Sequence, residues 1–172
     1  AARERDEARR AQAEARHEVK LAATDQLTGA WTRRFGLVQI TREIERARRT
    51  GGTLTLAFVD VDDLKKVNDS HGHAVGDRLL YLAVEAMRAT LRPYDVVVRY
   101  GGDEFLCAMP NITRGAATER MTAIAATLSA AETGHSISFG LAEHQPDDGL
   151  QELVGRADAD LLAARRWREQ ST

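Results

Sequence analysis

The segment Thr53-Leu54-Thr55-Leu56-Ala57-Phe58-Val59 alternates in polarity, turns continuously apolar, and stops at Asp60. That is the pattern of a β-strand that becomes buried on both faces. A strand of this kind needs apolar cover above and below it, so the chain must supply helices for both sides of a sheet. The flanking sequence supplies them. Phe35, Val38, Ile40 and Ile44 mark a helix that stops at Gly51-Gly52, and Leu79, Leu80, Ala83, Ala86, Met87 and Leu91 mark another closed by Pro93. Two apolar runs, Asp95 to Arg99 and Glu104 to Met109, flank Tyr100-Gly101-Gly102-Asp103 and read as an antiparallel hairpin. A helix over about Thr113 to Ala131, a strand over Ser136 to Leu141 and a helix over about Gly149 to Arg166 follow. Alternating strands and helices interrupted by one hairpin predict an α/β (α+β) sandwich, a central mixed sheet with surrounding helices.

The first 23 residues differ in texture. Ala1 to Ala23 is almost all Ala, Arg, Glu and Gln, with neither Gly nor Pro, and is expected to form one N-terminal helix. Ala8, Ala15 and Ala22 recur every seven residues with Arg5, Gln12 and Val19 interleaved, a seam of small and polar residues suited to a coiled coil. Residues 1–23 are therefore read as a signalling helix entering from an upstream sensor, the alternative being a solvated helix, and residues 24–172 as one globular domain. A chain of 172 residues with 43% apolar content is long enough for one substantial core and short for two.

A net charge of −2 lacks the basic surplus that neutralises a nucleic-acid backbone, which argues against such a partner while leaving a nucleotide open. The lone Cys107 has no internal disulfide partner and lies in an apolar run, as a buried thiol in a reducing cytoplasm would. No apolar stretch is long enough to span a bilayer, so no membrane contact is expected of this segment and any anchor would lie outside it.

Acidic residues gather where the elements meet. Asp60, Asp62 and Asp63 follow the buried strand, Asp77 opens the long helix, and Asp103-Glu104 sits at the hairpin. Taken singly, each has a structural reading: a cap, a favourable charge at a helix N-terminus, or an acid beside a turn glycine. Two glycines followed by two carboxylates exceed what a turn requires. Bare glycines admit a ligand closely, and paired carboxylates beside a third at a strand end can hold Mg²⁺ through hard oxygens.

Arg99-Tyr100-Gly101-Gly102-Asp103-Glu104-Phe105 resembles the signature of the GGDEF family of diguanylate cyclases. The same family's order and spacing recur in Asp25-Gln26-Leu27-Thr28-Gly29, in Phe58-Val59-Asp60-Val61-Asp62-Asp63-Leu64-Lys65-Lys66-Val67-Asn68-Asp69, in Gly72-His73-Ala74-Val75-Gly76-Asp77 and in Ser136-Ile137-Ser138-Phe139-Gly140. The resemblance covers roughly Thr24 to Arg166. It implies a fold similar to the palm of adenylate cyclases and polymerases, and condensation of two GTP into cyclic di-GMP across a homodimer in bacterial second-messenger signalling.

The resemblance also implies roles. Asp60, Asp103 and the Val61 carbonyl would bind metal, two Mg²⁺ per half-site with Mn²⁺ as an alternative, and Asp103 would be the general base. Glu104 would support the metal cluster and Lys65 would stabilise charge in the transition state. Asn68 and Asp77 would read guanine, an amide and a carboxylate matching its acceptor and donors, while His73 either contacts the nucleotide or makes a structural hydrogen bond. Gly101 and Gly102 would let the substrate approach.

Arg92-Pro93-Tyr94-Asp95 fits the Arg-x-x-Asp pattern that the family uses as an inhibitory site for the product, the alternative being an ordinary loop salt bridge. The C-terminal helix departs from the family: Arg165 stands where a triphosphate-binding Lys is usual, and Trp167-Arg168-Glu169-Gln170 replaces a Gly-Arg-Asn segment, with Arg168 a partial substitute. Thr32 replaces the usual Asn of the first motif. Two other readings remain open, a non-catalytic module that holds GTP or cyclic di-GMP and a structural dimerisation unit.

Overall fold

A computed structural model describes residues 2–131 and 134–170. Its centre is the strand from which the sequence argument started. β2 (Leu54–Val61) is buried along almost its whole length, and alternate side chains feed two cores. Leu54, Leu56 and Phe58 face one side, where helices α2 (Arg33–Thr50) and α6 (Leu150–Gln170) contribute Ile40, Ile44, Leu153, Ala157 and Leu161. Ala57, Val59 and Val61 face the other, covered by α3 (Leu64–His71), α4 (His73–Thr90) and α5 (Arg114–Ser129).

The sheet has five strands in the order β1-β3-β4-β2-β5. β3 (Val96–Arg99) and β4 (Glu104–Pro110) form the expected antiparallel hairpin, and β2 lies antiparallel to both β4 and β5 (Ile137–Glu143). β1 (Trp31–Thr32) pairs with β3 in parallel and makes the sheet mixed. The α/β sandwich read from the sequence is thus the observed architecture.

Several details depart from the sequence reading. The two-residue β1 was not anticipated, because its strand character comes from pairing with Val98 and Arg99 rather than from any local pattern. In α2 the buried stripe is Gly36, Ile40, Ile44 and Ala47, whereas Val38 is 47% exposed, since Gly36 lets the helix approach Val98 too closely for a side chain. The last helix extends to Gln170. α1 (Ala2–Ala23) is one continuous helix, exposed everywhere except Ala23, with Val19 and Leu21 among its uncovered apolar residues.

α6 lies unusually near β5. A Cβ on Gly140 would overlap backbone atoms of Ala157 and Leu161, so only glycine allows this approach. The close contact fixes the height of α6 over the sheet and so sets where Arg165, one turn beyond Leu161, reaches.

Candidate active site

The strand register assembles the acidic residues. Asp60 on β2 lies opposite Glu104 on β4, and the Val61 N–H donates to the Asp103 carbonyl at 2.9 Å. On its other edge Asp60 is in register with Ser138 of β5. Strand alternation puts Asp60 and Glu104 on the face that carries Phe58 and Leu106, toward α6.

The electrostatics of this cluster are strained. Burial pushes the Asp60 carboxyl above its ordinary value, and the charges of Asp103 and Asp62 add to this, with only Arg165 opposing. Glu104 is likewise raised, first by burial and then by Asp103, Asp60 and Asp158, against weak relief from Arg33. Arg165 answers this negative charge directly. Its Nη2 lies 2.7 Å from Asp60 Oδ1 and 3.8 Å from Asp62 Oδ1. Burial works against the guanidinium's charge, but the bond to Asp60 and the charges of Asp60, Asp62 and Asp103 outweigh it.

Among the described residues, no three His, Cys, Asp or Glu side chains converge where a metal ion could sit. The oxygen donors that the sequence offers here are the Asp60 and Asp103 carboxylates and the carbonyl of Val61, whose N–H already bonds the Asp103 carbonyl. Such an open oxygen set fits Mg²⁺, which usually binds through one or two carboxylates and completes its shell with water and phosphate. Burial, and after it the repulsion of neighbouring acids, raises Asp60 and Glu104, and a dication held there would offset both.

Neither Gly101 nor Gly102 has left-handed φ, so the turn does not need them for backbone reasons. A Cβ on Gly101 would come within 2.5 Å of Glu104 Oε2 and push that side chain aside, while the position of Gly102 is open. The tip folds back through Tyr100 and Gly101 N–H groups donating to the Glu104 carbonyl at 2.8 and 3.1 Å.

Helices α3 and α4 carry the other candidates. Asp63 takes left-handed φ of 61° and swings the chain from β2 into α3, a conformation that Asp tolerates better than most residues. Lys65 projects into solvent from the first turn of α3, while Lys66 pairs with Asp63 at 2.6 Å. Asn68 sits against α4, its Oδ1 buried without a hydrogen-bond partner and pressed on Gly76. His73 opens α4 and Asp77 lies one turn on, both exposed on the same helical face. The structure therefore brings Asn68 and Asp77 to neighbouring turns of two packed helices.

Arg92 and Asp95 lie elsewhere, at the opposite end of β3 from the hairpin tip, about 13 Å away at strand rise. The Asp95 side chain is 0% exposed. It accepts from the Arg92 backbone N–H at 2.7 Å and pairs with Arg92 at 3.2 Å and Arg120 at 3.5 Å. The Arg92 guanidinium also donates to the Pro110 carbonyl and lies 4.5 Å from the centre of the Tyr94 ring. An open cavity of about 280 Å³, lined by Trp31, Arg88, Arg92 and Asp95 among others, adjoins this pair.

Three supporting contacts were not read from the sequence. Arg99 Nη1 reaches both Asp25 oxygens at 3.1 Å and its Nη2 donates to the Gly102 carbonyl at 2.9 Å, tying the chain entry to the hairpin tip. Burial raises the Asp25 carboxyl, but bonds from Thr28 and Arg99 overcome it and hold it below its ordinary value. Arg168 Nη2 donates to Ser138 Oγ at 2.8 Å, which in turn donates to Asp62 at 2.5 Å. Arg33 covers the Tyr100 ring at 4.1 Å and Tyr100 meets Phe58 edge-on, bracing the start of the hairpin. Asp25, Asp62, Arg99, Tyr100, Ser138 and Arg168 each had a signal in a motif or its replacement, but no signal paired them with one another.

Comparison with known proteins places the chain in a family. Residues 22–171 match the profile of the family described as "Diguanylate cyclase, GGDEF domain". The chain is 36% identical over 159 residues to the diguanylate cyclase DosC of Escherichia coli, covering 88% of this chain and 34% of that protein. It is 31% identical over 152 residues to the diguanylate cyclase DgcP of Pseudomonas aeruginosa, covering 84% of this chain and 23% of that protein. It thus spans a quarter to a third of the length of these curated relatives. Among solved structures, the coiled coil and GGDEF domain of DgcB from Caulobacter crescentus, in complex with c-di-GMP, superposes with a TM-score of 0.89 at 26% identity, over 96% of this chain and 92% of that one. Diguanylate cyclase SiaD of Pseudomonas aeruginosa, in complex with its activator SiaC, gives 0.80 at 34% identity over 96% of this chain and 66% of that one. With the acidic cluster, the glycine hairpin and the sheet that joins them all in place, the chain belongs to the GGDEF family of diguanylate cyclase domains.

Proposed function

We propose that this chain condenses two GTP into cyclic di-GMP. Two protomers, each holding one GTP, meet antiparallel, and each ribose 3′-hydroxyl attacks the α-phosphate of the other nucleotide, releasing two pyrophosphates. The observation that carries this is the junction of Asp60, Asp103 and Glu104 at a hairpin tip where Gly102 leaves open space for a ligand.

Asp60, Asp103 and the Val61 carbonyl would hold Mg²⁺, two ions per half-site, with Mn²⁺ suited to the same oxygens. When bound, the metal supplies stabilisation of the charge on the reacting phosphate. Asp103 accepts the proton that leaves the 3′-hydroxyl, and Glu104 keeps the metal-facing side of the hairpin negative. Lys65, on a short helix rooted at the acidic strand end, moves its exposed ammonium onto the phosphates as charge redistributes. Asn68 and Asp77 read the guanine edge, with His73 beside them at the start of α4. Arg165, with Arg168 one turn on, grips the triphosphate in place of the usual lysine.

Arg92 and Asp95 form the inhibitory product site in this reading. Support comes from the adjacent cavity and from Arg92, whose guanidinium already lies over an aromatic ring and can lie over a guanine in the same way. α1 enters from an upstream sensor and pairs with its copy, placing the two half-sites face to face. Its exposed surface and the likeness to a neighbour that includes a coiled coil favour this. The domain acts in the cytoplasm, where GTP is available; no described helix is long and apolar enough to cross a membrane.

A non-catalytic nucleotide-binding role is the second reading, favoured by the Arg165 contact to Asp60 and the altered C-terminal tail. Incubation of the chain with GTP and Mg²⁺, beside Asp103→Ala, decides between them by mass spectrometry of the products. Cyclic di-GMP from the parent alone supports the cyclase; GTP binding without product, in demonstrated dimers, supports the binding module.

A further inference from the structure

Arg165 does more in this structure than wait for phosphate. Its guanidinium occupies Oδ1 of Asp60, a carboxylate whose burial and acidic neighbours disfavour its charge. It reaches Asp62 as well, and Asp62 is further engaged by Ser138, which accepts from Arg168. Two arginines on one face of α6 thus lie over the acidic end of β2. Their position is fixed by packing: Gly140 lets α6 down onto β5 until backbone meets backbone, and Leu161, one turn before Arg165, is buried.

A divalent ion on Asp60 Oδ1 would sit about 2 Å from that oxygen. Arg165 Nη2 is already 2.7 Å from the same atom. A guanidinium and a dication cannot both hold one carboxylate oxygen without strong repulsion, unless an anion lies between them. A triphosphate is such an anion and offers the bidentate partner that a guanidinium prefers.

We propose that Arg165 is a tethered counter-ion that makes divalent metal and nucleoside triphosphate bind as a unit. It excludes the bare ion from Asp60, and it passes from Asp60 to the phosphates when both ligands arrive together. The inference rests on the metal-site reading of Asp60. It makes Arg165 a positioning residue for the metal as well as a phosphate contact, and its thermodynamic signature is coupling: each ligand tightens the other by the same factor.

The test is Mn²⁺ binding, followed by the electron paramagnetic resonance signal of the free ion, with and without 3′-deoxy-GTP, which cannot condense. The chain is compared with Arg165→Gln, Arg165→Lys and Asp60→Asn, each checked for an intact thermal transition. Arg165→Gln is expected to tighten Mn²⁺ binding without nucleotide about tenfold and to weaken 3′-deoxy-GTP about tenfold. These opposite changes remove most of the coupling, and Arg165→Lys restores part of it. Unchanged or weaker binding of Mn²⁺ alone by Arg165→Gln, with Asp60→Asn still abolishing binding beside nucleotide, overturns the inference and leaves the metal site standing. Mn²⁺ held equally by the parent and Asp60→Asn overturns both.

Discussion

Replacing Gly76 with alanine separates a structural role from a functional one. Gly76 is buried in the first turn of α4 with ordinary helical backbone, where alanine is favoured over glycine by about 1 kcal/mol. Only one neighbour stands in the way. The added Cβ would overlap Asn68 Oδ1 and come within 2.8 Å of Asn68 Cγ, with Leu64 Cδ1 at 3.2 Å. Leu64 can give by a few tenths of an ångström, but the Asn68 amide must rotate away. Because Asn68 Oδ1 has no hydrogen-bond partner in the fold, its displacement breaks nothing there. Helix propensity and crowding then nearly cancel, and stability should change by no more than about 1 kcal/mol.

Function should respond differently. Turning Asn68 away removes one hydrogen bond to the purine edge, about 1–2 kcal/mol, which corresponds to a roughly five- to thirtyfold fall in kcat/KM for GTP. Pyrophosphate release at varied GTP, beside thermal unfolding, reads both quantities. Asn68→Ala should match the loss, and the double variant should add little to either, since both act through one side chain. A Gly76→Ala variant with unchanged kcat/KM, or losses that simply add, refutes the assignment of Asn68 to the base.

Other substitutions probe the scaffold and the second site. Gly140→Ala drives a Cβ into the α6 backbone and should cost about 2–3 kcal/mol, a fall of roughly 4–12 °C in Tm by scanning calorimetry. Asp95→Asn leaves Arg92 and Arg120 facing a neutral group; breaking a fully buried pair costs 3–5 kcal/mol, and because these arginines are 25% and 27% exposed about 2 kcal/mol is expected by urea unfolding. The same variant should relieve inhibition by added cyclic di-GMP, and undiminished inhibition counts against the Arg92–Asp95 site. Burial pushes the Cys107 thiol up to about 12, so at pH 8 only about one molecule in ten thousand carries a thiolate. A disulfide reagent should therefore label the native chain only as fast as it opens, and labelling within seconds would contradict the burial of Cys107.

The parts of the fold that were legible in the sequence are those in which local pattern and tertiary role coincide. β2 could be read because an apolar run ending in a carboxylate has few other uses, and the β3–β4 hairpin because two strand-like runs bracket Gly101-Gly102. β1 could not, since two residues become a strand only by meeting Val98 and Arg99. The candidate site was legible residue by residue through its motifs, but its internal wiring was not. Asp25 and Arg99 lie 74 positions apart, and nothing near either names the other. Gly101 and Gly102 were legible as bare positions at a hairpin tip, but the closeness of Glu104 Oε2 to Gly101 follows from the folded turn and has no local signal. Arg165 was legible as a cation in the lysine's position, yet its contact with Asp60 depends on how far Gly140 lets α6 descend.

The most direct test of catalysis across two protomers is the rate of cyclic di-GMP formation per protomer, at saturating GTP and Mg²⁺, as protein concentration is lowered through the monomer–dimer transition seen by analytical ultracentrifugation. Each half-site needs its partner's nucleotide, so the rate per protomer should fall with the dimer fraction and approach zero for monomers. A rate per protomer that stays constant while the dimer dissociates would contradict condensation between facing protomers.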